Sequence, residues 1–124
     1  MATPSGATPS EQEIEKMVRD YQMAQEQLRN SALQLDQLQG AKADLDRAKT
    51  EVEKAEGKVY LTVGGVIVET TKEKALSEIT ERSELTDVRI QSATKQLNEL
   101  KTREKQLGEK LTNLYQQGKS QPSP

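Results

Sequence analysis

At 124 residues, with 32% apolar and 31% charged residues and neither Phe nor Trp, the chain cannot fill the centre of a globule and must spend its apolar side chains along a seam. The absence of Cys and His excludes disulfides, thiol and imidazole chemistry and the usual zinc ligand sets, and no Ser-x-x-Lys stands where it would be buried, so no enzyme, metal site or cofactor is expected. A net charge of −2 with both signs interleaved lacks the basic footprint of a nucleic-acid binder.

Residues 1–10 contain Ala-Thr-Pro-Ser twice, a small, uncharged, proline-bearing composition that predicts a disordered tail. This start has neither the basic nor the apolar part of a signal peptide. A helix is predicted over 11–56. Ser10 followed by Glu13 has the pattern of a capping box, Glu11, Glu13 and Glu15 suit the positive end of the helix dipole, no proline interrupts the span, and Gly57 reads as its stop. After a strand-rich stretch at 58–70, a second helix is predicted over 71–117. Thr70 with Glu73, or Thr71 alone, reads as its cap and Gly118 as its stop. Residues 118–124 read as a second disordered tail. The longest uncharged apolar run, Val59 to Val68, is too short to cross a membrane, so a soluble cytoplasmic protein is expected.

The two helices carry matching heptads. In the first, Ile14, Met17, Tyr21, Ala24, Leu28, Ser31, Leu35, Leu38, Lys42, Leu45, Lys49 and Val52 alternate steps of three and four. In the second, Leu76, Ile79, Ser83, Thr86, Ile90, Ala93, Leu97, Leu100, Glu104, Leu107, Leu111 and Leu114 do the same. Folded back, residue n of the first list faces residue 128 − n of the second, so each a position meets a d position, as an antiparallel coiled coil requires. The seam is thin where Lys42 faces Thr86 and Leu45 faces Ser83, and these polar positions read as register control. Ala41, Ala48 and Ala55 form a small-residue stripe beside it, and Glu104 is expected to reach water past Ala24.

The stretch between the helices, VYLTVGGVIVETT from Val59 to Thr71, reads as a β-hairpin. Gly64-Gly65 supplies the positive φ that a two-residue type I′ turn requires. That turn pairs Val63 with Val66, Leu61 with Val68 and Val59 with Thr70 on one face, leaving Tyr60 with Glu69 and Thr62 with Ile67 on the other. A lone hairpin is marginal in water and has two unpaired edges. Val59, Leu61, Val63, Gly64, Gly65, Val66, Ile67 and Val68 are therefore expected to form an assembly module, closing with the hairpins of other copies or partners into an oligomeric β-barrel.

The layout resembles the β-type subunits of the prefoldin family. The most specific stretch is Lys58 to Glu73, where Tyr60-Leu61-Thr62-Val63-Gly64-Gly65-Val66-Ile67-Val68-Glu69 is similar to the family's hairpin signature; equal helices on either side extend the likeness over roughly residues 10–117. The resemblance implies a hexamer of two α-type and four β-type subunits. Their hairpins would form a double barrel from which coiled-coil arms project, holding unfolded client proteins at their ends without ATP and passing them to a group II chaperonin. Client contact is then expected where helix 1 begins and helix 2 ends, at Ile14, Met17, Val18, Tyr21, Leu107, Leu111, Leu114 and Tyr115. Terminal turns fray, and Met adapts to irregular apolar surfaces. The rival reading is a structural coiled-coil scaffold or tether without a client, which shares the seam and the caps but has no use for an assembling hairpin.

Overall fold

The computed structural model describes residues 10–120. The disordered tails expected at 1–10 and 118–124 lie outside the described residues, apart from Ser10 and residues 118–120. The fold is mainly α: helix α1 spans Glu11–Lys54, strands β1 (Val59–Val63) and β2 (Val66–Thr70) form an antiparallel hairpin, and helix α2 spans Lys72–Ser120.

The helix boundaries follow local chemistry with some departures from expectation. At the start of α1 the Glu13 amide donates to Ser10 Oγ at 3.2 Å and the Ile14 amide to the Ser10 carbonyl at 3.0 Å, as an N-cap serine requires. The helix ends at Lys54, short of the expected 56, in a tight turn in which the Ala55 amide donates to the Val52 carbonyl at 3.1 Å. Gly57 does not take the left-handed conformation of a glycine stop; among the described residues positive φ occurs only at Gly64 and Gly65. Instead, Lys72 Nζ donates to the Glu53 carbonyl at 2.6 Å, so a cation at the start of α2 satisfies an end carbonyl of α1. The cap of α2 is Thr71, whose Oγ1 accepts from the Lys74 amide at 3.1 Å. Thr70 is unavailable for that role because it is still paired with Val59 in the hairpin. α2 then continues through Gly118 to Ser120.

The chain divides into two compact units, one built from residues up to Ala32 and from Gln96 onward, the other from Leu33–Lys95. In the first, an α1 segment lies antiparallel to an α2 segment. Ala24, Ser31 and Leu97 are buried between them, while Met17, Tyr21, Leu28, Leu100, Glu104, Leu107, Leu111 and Leu114 are half-buried. Among the described residues no large side chain is fully buried, so stability comes from many partial burials along a line. Ser31 Oγ lies buried without a hydrogen-bond partner.

In the second unit Ala75, Ile79 and Ala93 are buried, and Leu35, Leu38, Lys42, Leu45, Val52, Leu76, Ser83, Thr86 and Ile90 are half-buried. The expected seam fails at Lys49, which is exposed; Ala48 and Ala55 are half-buried in its stead, and Ala41 is exposed. The seam thus steps 42, 45, 48, a local shift of phase of the stammer kind. The physical reason is desolvation: an ammonium group enters a seam at a cost that an alanine methyl one position earlier avoids.

The hairpin has the register read from its turn: Val59–Thr70, Tyr60–Glu69, Leu61–Val68, Thr62–Ile67 and Val63–Val66. Gly64 at φ 54° and Gly65 at φ 82° give both central residues the left-handed backbone of a type I′ turn. Val59, Leu61 and Thr70 are half-buried, whereas Val63, Val66 and Val68 on the same face are exposed.

Candidate functional site

Two surfaces stand out, each within one unit. The first is the hairpin. Among the described residues its two strands pair only with each other, so each has a row of amide and carbonyl groups pointing outward with no described strand beside it. Val63, Val66 and Val68 face solvent on one side, and on the other Tyr60 and Ile67 do the same, Ile67 at 70% of its full exposure. An ion pair between Lys58 and Glu69 at 3.9 Å flanks this second face and, being solvated, contributes little to holding the hairpin. Exposed apolar side chains beside two open strand edges are features that a partner surface can cover. The residues that the sequence assigns to assembly, from Val59 to Val68, all belong to this one element.

The second surface lies at the start of α1 and towards the end of α2. Ile14 and Val18 are each 38% exposed and Tyr115 is 68% exposed. Met17, Leu107, Leu111 and Leu114 are half-buried and close the seam. Tyr21 is the most constrained of the expected client residues. Its hydroxyl donates to Glu104 Oε1 at 2.9 Å, and its ring lies across Gly108, where an added Cβ would come within 3.1 Å of Cε2. The hydrogen bond to a carboxylate holds the Tyr21 phenol above its ordinary pKa of 10.0; partial burial and the charge of Glu104 add to this, and Gln25 opposes it. Glu104 is therefore not simply directed to water past Ala24, as its place in the seam suggested: it anchors Tyr21. The signal for this contact was a glycine within a helical run at 108, which has no use in propagating a helix but leaves room for a ring.

An open groove of about 440 Å³ runs beside this contact, lined by Tyr21, Glu104, Lys105, Gly108, Glu109, Thr112 and Asn113. Its walls are mixed in charge. Among the described residues there is no group of three metal-ligating side chains, and no helix is long and apolar enough to cross a membrane. What the two surfaces can do is bind: strand to strand at the hairpin, and apolar side chain to apolar side chain at the helix ends.

Comparison with known proteins gives one consistent relationship. A family model described as "Prefoldin subunit" matches residues 15–118. The prefoldin subunit beta of Pyrococcus abyssi is 36% identical over 104 residues, spanning 80% of this chain and 86% of that protein. The prefoldin subunit beta of Methanosarcina acetivorans is 32% identical over 101 residues with the same coverage, 80% and 86%. Among solved structures, the crystal structure of the prefoldin beta subunit from Thermococcus strain KS-1 superposes with a TM-score of 0.75 at 28% identity, covering 88% of this chain and 96% of that one.

Proposed function

The chain belongs to the prefoldin family as a β-type chaperone subunit, and from that premise we propose that it captures unfolded proteins, without ATP, as part of a hetero-oligomer in the cytoplasm. Its hairpin joins α-type subunits and further β-type copies into a barrel, in a hexamer of two α and four β. The helix ends contact non-native clients and pass them to a group II chaperonin. The observation that carries this reading is the hairpin: a strand pair with Val63, Val66, Ile67 and Val68 exposed and both edges open gains nothing as a simple link between helices, and gains much when paired with others.

Client contact rests on Ile14, Val18 and Tyr115, the expected residues with the most exposed surface, and on the seam residues Met17, Tyr21, Leu107, Leu111 and Leu114 when the terminal turns fray. Weak contacts suffice because several arms act on one client, so the second and third engage at high effective concentration.

The test has two parts. Native mass is measured for the chain alone and with an α-type partner already shown to assemble; a partner-dependent hexamer supports the assembly, and a 13.8 kDa monomer in both cases rejects it in favour of a scaffold. The assembled complex is then assayed for suppression of aggregation of a denatured client. Val18→Ser with Tyr115→Ser is expected to weaken suppression while leaving the hexamer intact, and unchanged suppression removes these residues from the client surface.

A further inference from the structure

We propose that the helix pair of the Leu33–Lys95 unit contains a flexible joint, formed by Gly40–Leu45 of α1 and Ser83–Asp87 of α2 and latched by the ion pair between Lys42 and Asp87. Five observations converge on this short stretch.

The seam loses its grip there. On α2, Ile79 and Ala93 are buried, but the seam positions Ser83 and Thr86 between them are only half-buried. The segment is not short of apolar residues; Leu85 and Val88 are exposed, at 52% and 61%, while Ser83 and Thr86 occupy the seam. Opposite them, Lys42 holds a seam position and sends its ammonium group across to Asp87 Oδ2 at 3.0 Å. This pair is 28% and 53% exposed at its two side chains, so it is a solvated latch and not a core contact.

The backbone is weakened at the same level. Gly40 lies in the interior of α1, where a Cβ would meet nothing within 4 Å. No close approach demands a glycine at this position, and glycine loosens a helix relative to alanine. On α2 the Thr86 hydroxyl donates to the Arg82 carbonyl at 2.7 Å; a bond of this kind competes for the helix's own acceptors and favours bending. The seam also changes phase here, stepping 42, 45, 48. On the hairpin side of the joint the packing is firm again, with Ala75 and Ile79 buried and Lys72 tied to the Glu53 carbonyl.

Local opening of this stretch lets the segments on either side of it change angle while the hairpin keeps its pairing. Its use, adapting the reach of an arm to clients of different size, rests on the chaperone reading. The joint itself is a property of the helix pair and is tested without a client.

The test is amide hydrogen exchange on the full chain in the oligomeric state in which it is purified. Amides of residues 40–47 and 81–88 are expected to exchange faster than those of 33–38 and 90–95, and faster still as added salt screens the Lys42–Asp87 pair. Gly40→Ala, a mild change at an exposed position, is expected to slow exchange in the joint about fivefold, the difference in helix propensity. Lys42→Leu with Thr86→Leu, which fills the seam, is expected to slow it by roughly tenfold or more. Uniform protection along both helices of this unit overturns the proposal, as does a stretch whose exchange neither variant slows.

Discussion

The hairpin turn offers a clean way to separate assembly from helix pairing. Gly64 and Gly65 both have positive φ, 54° and 82°, and a Cβ at either position meets nothing within 4 Å. Replacing both with valine therefore adds no collision with neighbours; the cost is torsional, about 1–2 kcal/mol for each residue forced into the left-handed region. Together that is about 2–4 kcal/mol against a two-stranded element that is marginal by itself, or a shift of roughly 30- to 1,000-fold away from the paired register. Every copy in an oligomer carries the same defect. Native mass spectrometry with an α-type partner is expected to show loss of the hexamer at concentrations where the unaltered chain assembles, while circular dichroism still reports two helices. Gly64→Asn is the control, since Asn-Gly is a preferred type I′ pair, and it should assemble normally. If Gly64→Val with Gly65→Val forms the hexamer at the same concentration as the unaltered chain, the hairpin is not what holds the subunits together.

Ser31→Ala removes a buried hydroxyl that has no partner and should raise the stability of the helix pair by about 1 kcal/mol, read as a higher urea midpoint with an unchanged slope; a lower midpoint means the hydroxyl is bonded after all. Glu104→Gln keeps an acceptor for Tyr21 but removes the charge, and should bring the phenol's titration, followed by ultraviolet absorbance, down towards its ordinary value of 10.0. Because this acid's pKa is raised in the folded chain, its contribution to stability is complete below pH 10.0 and is lost as the pH rises through the folded value. Tyr21→Phe should accordingly flatten the alkaline limb of the stability profile, and an unchanged limb would place its origin elsewhere.

The sequence alone determined the parts of this protein that depend on neighbours along the chain. Ser10 caps α1 because an N-cap needs only a hydroxyl within reach of the amide three residues on. The hairpin register followed from Gly64-Gly65, since a two-residue turn leaves one pairing and the period of two assigns every side chain to a face. The long seam was legible because seven-residue repetition fixes which side of a helix is apolar, and the antiparallel partner followed from two runs of matching length about one turn.

Tertiary structure decided what depends on groups from different segments meeting. Whether Lys49 or Ala48 enters the seam is settled by comparing desolvation of an ammonium group with a small rotation of phase, a comparison no repeat pattern contains. Thr71 became the cap of α2 because Thr70 had already been claimed by its bond partner across the hairpin. The anchoring of Tyr21 by Glu104 over Gly108, and the satisfaction of the Glu53 carbonyl by Lys72, each join residues far apart in sequence. Such contacts depend on the distance and direction of side chains brought together by packing, and a linear pattern records only which residues share a face.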